Sequence, residues 1–317
     1  GGGGAMPGGV PGFGGGTGSD SNLLGGGGAG MGGAIFNQGG TVTLLNATLT
    51  DNTATGGAGD GSSGNGKGYG GAIFNLNGTV LVRFSTLASN VGTDGGGAIY
   101  NLGYNLQSGI TATLTIESSL LVNSTDGSAA TTDTVTNHPA TVASGAANNA
   151  TATVTILAGL LGTTSEIGPL ANNGGLTKTM AITTASPAFN AVSCGNTTVD
   201  QRGVVRPQGL KCDLGAYELL QAPIVTQNPA PQTVCAGTQA TFTAAATGAS
   251  SVQWQVSVGG GAFSDISGAN TTTLNIATTA GMNGNRYQAV FTNALTSVTT
   301  TPALLTVNTA PVVSAIS

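Results

Sequence analysis

The chain has 317 residues, more than one ordinary domain, yet only 6% of them are charged, against about a quarter in a typical soluble protein. Seven basic and 12 acidic residues leave a net charge of −5, so the basic patch that nucleic acid or an anionic membrane surface would need is missing. No apolar run approaches the ~18 residues of a membrane-crossing helix, so no membrane insertion is expected in this segment.

Residues 1–31 are dominated by glycine, with Pro7 and Pro11, and hold too few apolar side chains to build a core. The chain starts inside this stretch without a Met-initiated signal peptide, so it reads as a processed or truncated piece. Residues 55–68 have a similar composition. Both stretches are therefore read as inter-coil loops of an array, ordered by packing against one another or a neighbour.

The hexapeptide Gly-Gly-Ala-Ile-Phe-Asn spans residues 32–37 and 70–75 and returns as Gly-Gly-Ala-Ile-Tyr-Asn at 96–101. Its recurring positions are Gly32, Gly33, Ile35 and Asn37; Gly70, Gly71, Ile73 and Asn75; and Gly96, Gly97, Ile99 and Asn101. A Thr/Val run follows each copy, at 41–44, 79–82 and 113–116, and then a short polar-capped run ending in Asn52, Asn90 or Asn123. A fourth, headless copy is read at 153–156 and 159–162. Copy starts lie 38 and 26 residues apart, which gives a unit near 26 residues with an optional insertion. Three short β-prone runs per unit predict three strands per turn of a right-handed parallel β-helix, an all-β solenoid. Alternation sends Ala34, Phe36, Val42 and Leu44 to one side and Thr, Asn and Ser to the other. One coil buries too little apolar surface to offset the ordering of its backbone, so stacking is obligatory. The recurring asparagines are expected to form stacked amide ladders inside the turns.

Between residues 129 and 149 the β pattern weakens, and His138-Pro139 is read as a loop. His138 is the only histidine; it is assigned to the surface and excludes a multi-histidine metal site. Beyond it, short punctuated strands lead to six charges within 19 residues: Asp200, Arg202, Arg206, Lys211, Asp213 and Glu218. A catalytic constellation competes here with a solenoid cap, and the cap is preferred, because exposed strand edges need polar, paired cover. Cys194 and Cys212 flank this region as a disulfide candidate, while Cys235 is left over, either as a free buried thiol or to pair with another chain.

The Gly-Gly-Ala-Ile-x-Asn units resemble polymorphic outer membrane protein repeats. The ending Asp200-Gln201-Arg202-Gly203, Arg206-Pro207, Cys212-Asp213-Leu214-Gly215-Ala216-Tyr217-Glu218 is similar to that of bacterial choice-of-anchor Q domain proteins. The resemblance covers about residues 1–220. It implies a right-handed parallel β-helix on an exported, often multidomain bacterial protein with no uniform enzymatic activity, and it supplies no catalytic residues to carry over.

From Ala222-Pro223 onward, short alternating strands at sandwich spacing surround the lone Trp254, with Tyr287 opening a late strand. This stretch resembles bacterial immunoglobulin-like domains. Some of those carry a second cysteine opposite the position of Cys235, where this chain has Asn293-Ala294-Leu295-Thr296, so no intradomain bridge is expected. The predicted organisation is a β-helix with its cap at 1–220, an immunoglobulin-like β-sandwich at 221–308, and a linker or strand toward a following domain or a neighbouring subunit at 309–317.

Glycine motifs at 25–30, 59–64 and 66–71 match Gly-x-Gly-x-x-Gly without the strand-to-helix context that phosphate binding needs, and Gly68 stands where a P-loop has Ser or Thr. Residues 56–60 approach a calcium repeat, but the Asp falls one position early and the motif does not recur. No cofactor or metal is expected. A polysaccharide lyase or hydrolase would need clustered carboxylates, and the coils hold only the isolated Asp51, Asp94, Glu117 and Asp126. Thr-x-Thr runs at 41–43, 111–113 and 151–153 raise an ice- or mineral-binding face, weakened by a register read as irregular. Six Asn-x-Ser/Thr sequons and the uncharged surface fit an exported protein. The expected function is that of a non-enzymatic structural or adhesive protein, extracellular or at the cell surface. It would act through copies of itself assembled head to tail into a fibre, or through cell-surface glycans.

Overall fold

A computed structural model describes residues 12–19, 24–104, 111–127, 135–139, 151–162 and 166–309, so the expected strand at 312–317 lies outside the described residues. Among these the chain is all-β, with one helical turn, the 3-10 segment Ala280–Met282. Contacts gather the described residues into two units. The first draws on Gly1–Ser193, Asp200–Gly203 and Asp213–Leu219, the second on Cys194–Val199, Val204–Cys212 and Leu220–Ser317.

In the first unit, repeated sequence becomes repeated pairing. Ile35–Gln38, Ile73–Leu76, Ile99–Gly103 and Val135–Pro139 make one parallel sheet, with Ile35, Ile73, Ile99 and Val135 in register. Thr41–Leu45 and Thr79–Arg83 stack with the first halves of two long strands, Thr111–Val122 and Thr151–Gly162. Thr48–Thr50 and Thr86–Ala88 stack with the second halves. All these pairings are parallel, as units running the same way around a stack require. Ile73, Val80, Val82, Leu87, Ile99, Leu114, Ile116 and Leu121 fill the interior and are fully buried.

The fourth copy is not headless. Val135–Pro139 provides its first strand, a segment read from sequence as weak pattern and loop, and Asn137 sits opposite Asn101. Asn37 donates to Asn75 Oδ1 at 2.7 Å, Asn75 to Asn101 at 2.7 Å and Asn101 to Asn137 at 2.8 Å. The same amides close their own turns, Asn37 onto the Gly40 carbonyl and Asn75 onto that of Gly78. A second ladder joins Asn52 to Asn90 at 2.9 Å, but its third rung is Ser124, whose hydroxyl accepts the Asn90 N–H. Asn123 instead aligns with Asp51 and Ser89, and all three adopt positive φ at the turn.

Alternation also mis-assigned the aromatics. Ala72 precedes the strand and both it and Ile73 point inward, so alternation starts at the isoleucine. Phe36, Phe74 and Tyr100 therefore face away from the core and stack with centroids 5.7 and 5.5 Å apart. The outward threonines are more regular than expected: Thr41, Thr79, Thr113 and Thr153 align, and only Leu81 interrupts the next row of Thr43, Thr115 and Thr155.

The two hexapeptide glycines have separate duties. Gly32, Gly70 and Gly96 hold φ of +68°, +68° and +61°, which L side chains rarely adopt. Gly33 and Gly71 have ordinary φ, but a Cβ there would collide with the carbonyls of Gly71 and Gly97 in the next repeat. The glycine loops pack by the same logic. Gly16 donates to Gly27 O at 2.8 Å, Gly27 to Gly64 O at 2.9 Å and Gly66 to Gly57 O at 2.8 Å, at approaches no Cβ would permit.

The second unit is a two-sheet antiparallel sandwich. Ala303–Asn308, Arg286–Thr292, Ser251–Ser257 and Phe263–Asp265 run through one sheet, with Gln232–Cys235 parallel at its margin. Gln239–Thr243 pairs with Thr273–Ala277, and Ile224–Gln227 with Ala245–Thr247. Trp254 and Tyr287 are buried together with Phe242, and Trp254 Nε1 donates to the Thr271 carbonyl at 2.8 Å. This is an immunoglobulin-like arrangement, built around the residues expected to form its core.

Replacing Asn75 by Leu orphans the Asn37 donor and the Asn101 acceptor in a dry interior. At about 1–3 kcal/mol for each orphaned group, thermal or denaturant unfolding should show a loss of about 2–6 kcal/mol.

Candidate functional site

The charged cluster at 200–218 is the only place where sequence concentrates ionisable groups, and in the structure its three carboxylates are held by backbone N–H groups and by Arg202. Asp200 accepts the Arg202 guanidinium at 2.7 and 2.9 Å, the Arg202 N–H at 2.7 Å and the Glu218 N–H at 3.0 Å. Glu218 accepts the Asp213 N–H at 2.9 Å, and Asp213 accepts the N–H groups of Asn190 and Leu219, each at 2.6 Å. Arg202 also donates to the Glu218 carbonyl and lies 3.6 Å from the centroid of the Tyr217 ring. Asp200, Asp213 and Glu218 are buried. Carboxylates committed in this way brace a loop and are poorly placed for proton transfer to a substrate.

The expected cap is corrected in position. Within the first unit this segment runs along the outer side of the third sheet: Gln201 accepts the Thr48 hydroxyl at 2.7 Å, the Ala216 N–H reaches Thr86 Oγ1 at 3.0 Å and the Gly215 N–H reaches the Ser118 carbonyl at 2.9 Å. It ties three successive repeats from the side, through the hydroxyls of the paired Thr48 and Thr86 and the carbonyl of Ser118, two residues before the Leu120 that aligns with them. Leu120, Ile182, Ala188 and Leu214 close the apolar space beneath it. Arg206 falls in the second unit, buried, with its N–H on the Thr198 carbonyl at 2.8 Å.

Cys194 and Cys212 are bonded, with Cα atoms 5.3 Å apart. Cys235 is free and exposed, so the buried-thiol option is corrected: its strand lies at the sheet margin. Among the described residues no group of three His, Cys, Asp or Glu is placed to hold a metal ion.

Two features escaped the sequence reading. On the first unit Tyr69 packs 4.6 Å from Tyr100, and Phe13 from the glycine-rich stretch covers the aromatic column. Burial, and then the nearby Asp94 carboxylate, push the Tyr69 phenol above its usual value near 10. On the sandwich, a cleft of about 280 Å³ is lined by Ser250, Ser251, Asn270, Thr271, Thr272 and Phe291 among others. It offers neutral hydroxyl and amide groups beside the small apolar side chains of Ala246, Ala249 and Val252, with the buried Phe291 beneath. Adjacent Ser, Asn and Thr residues gave no sequence signal, because two different strands and a loop bring them together.

Residues 226–309 match a domain family described as a domain of unknown function (DUF8696). The chain is 50% identical over 96 residues to Endoglucanase C of Cellulomonas fimi, a match covering 29% of this chain and 9% of that protein. Similar solved structures include the N-terminal Ig1-2 module of the Drosophila receptor protein tyrosine phosphatase DLAR, at 24% identity and TM-score 0.24, covering 28% of this chain and 50% of that one. Titin domains Z1Z2 in complex with telethonin are similar at 26% identity and TM-score 0.23, covering 28% and 49%. The sandwich assignment rests on its own strand pairing.

Asp200→Ala strands the buried Arg202 charge and should cost about 3–5 kcal/mol in denaturant unfolding, with part recovered in the Asp200→Ala/Arg202→Met double variant. Tyr69 keeps its proton more tightly when folded. Its contribution is therefore complete below the unfolded value near 10 and is lost as pH rises through the higher folded value. Melting curves from pH 8 to 11.5 should show a shallower alkaline decline for Tyr69→Phe than for the parent chain.

Proposed function

We propose that the chain is a non-enzymatic structural or adhesive protein, exported to the cell surface or the extracellular space. In this reading the first unit closes into a right-handed parallel β-helix of the choice-of-anchor Q and polymorphic outer membrane protein type, with the sandwich as its contact module. The observation that carries the proposal is the commitment of Asp200, Asp213 and Glu218 to backbone N–H groups and Arg202, which leaves the densest carboxylate cluster bound up in holding the fold. The Cys194–Cys212 disulfide suits an oxidising compartment. No helix among the described residues is long and apolar enough to cross a membrane.

A second reading, a polysaccharide-active protein, is favoured by the match to a protein named Endoglucanase C. The chain spans 9% of that protein's length, so we assign the shared portion to glycan contact and not to catalysis. We place such contact at the neutral cleft around Asn270 and Thr272.

Incubation with a panel of plant and microbial polysaccharides should release no reducing ends, while glycan-array binding, if detected, should fall on Asn270→Ala. Release of oligosaccharides by the purified chain would sink the non-enzymatic reading.

A further inference from the structure

The parallel strands of the first unit are not covered alike. Phe13 of the glycine-rich stretch packs on the aromatic column outside Ile35–Gln38 and its partners, and the segment around Gln201 and Ala216 crosses outside Thr48–Thr50 and Thr86–Ala88. The threonines of the remaining stack, built from Thr41–Leu45, Thr79–Arg83 and the first halves of Thr111–Val122 and Thr151–Gly162, stay open. Thr41, Thr43, Thr79, Thr153 and Thr155 are exposed, and Thr113 and Thr115 between them are partly exposed.

This face is a grid. The row of Thr41, Thr79, Thr113 and Thr153 is unbroken; two residues further along the strands, Thr43, Thr115 and Thr155 align, with Leu81 as the single interruption. The alternate residues Val80, Val82, Leu114 and Ile116 are fully buried, which fixes the threonines on the outer side. Neighbouring strands stand about 4.8 Å apart and alternate residues along a strand about 6.6 Å apart, so the side chains repeat in two directions. Each is β-branched, with χ1 already restricted, so little freedom is lost when the grid is occupied. The charges on these strands are Arg83 and Glu117, which meet at 3.4 Å beside the grid and cancel.

The occupant has to match that chemistry. Hydroxyls that each donate once and accept twice, without net charge, suit a flat, neutral partner that donates and accepts at every site. A mineral lattice presents ions and calls for charged groups, whereas a polysaccharide chain calls for exposed aromatic rings, and the grid supplies neither. The oxygen planes of crystalline water are neutral and repeat on the same scale of a few ångströms.

We propose that the threonine grid is an ice-binding face. Its hydroxyls occupy positions in the water layer next to an ice plane, and the methyl groups between them keep that layer ordered. The objection that the Thr-x-Thr register is irregular falls with the observed pairing. The face needs no particular first or last repeat, because further repeats only lengthen its rows. This activity goes beyond the structural and adhesive reading and does not rest on it.

The purified chain should shape ice crystals, slow their recrystallisation and show thermal hysteresis. Thr113→Tyr and Thr115→Tyr each set a ring in the middle of the grid, on strands that accommodate tyrosine, and should abolish the hysteresis while the protein's own melting curve stays in place. Leu81→Thr completes the second row and should increase it. Thr301→Tyr, at an exposed position of the sandwich, should leave it unchanged. No effect of the parent chain on ice at millimolar concentration would overturn the proposal. So would hysteresis that survives both grid tyrosines, or retention on an insoluble polysaccharide or mineral with no effect on ice. Those results leave the non-enzymatic reading standing, and sugar release from the polysaccharide panel would remove that reading without touching the ice-binding face.

Discussion

The first unit depends on one interaction, the amide-to-amide hydrogen bond that joins Asn37, Asn75, Asn101 and Asn137 across successive parallel strands. Asparagine suits the task because its two N–H hydrogens and one carbonyl let it close its own turn, reach forward and accept from behind. The bonds lie where Ile73 and Ile99 exclude water, so a slipped strand would leave donors and acceptors unpaired as well as turning its apolar residues outward. The ladder thus fixes the register in which Val80, Leu114 and their neighbours meet. The serine steps, in which Ser85 and Ser119 hydroxyls accept the N–H groups of Ala47 and Ser85, repeat the device at another corner.

Glycine makes such close stacking possible. In the hexapeptide the first glycine supplies a left-handed turn and the second lets the carbonyls of adjacent repeats approach. In the loops the same absence of a side chain allows strands of glycine to bond directly to one another, Gly57 to Gly28 and Gly66 to Gly57. Segments with too few apolar residues to form a core are thereby ordered by backbone hydrogen bonds, with Phe13 seated on the aromatic column beside them.

Sequence reveals what repeats in identity and misses what repeats only in geometry. The three hexapeptides were legible because their letters recur; Val135–Pro139 was not, because of the head motif it keeps only the Asn at the ladder position. Ser124 was missed for a related reason, since a hydroxyl can replace an amide as acceptor and the neighbouring Asn123 drew the assignment. Phe36, Phe74 and Tyr100 were placed inward because strict alternation was counted from Ala34, one residue before the strand begins. The charged motif was legible as a unit, but its location was not. That depends on Thr48, Thr86 and Ser118, far away in sequence and ordinary in type.

With so few charges, their placement carries information. Asp200, Arg202, Asp213 and Glu218 hold one loop, Lys67 meets Asp94 at 3.5 Å, and Arg83 meets Glu117 at 3.4 Å. Much of the rest of the described surface of the first unit is hydroxyl, amide and glycine, with a few exposed apolar side chains such as Phe36 and Leu45. Such a surface repels nothing strongly and steers nothing from a distance, so recognition has to come from shape and short-range hydrogen bonding.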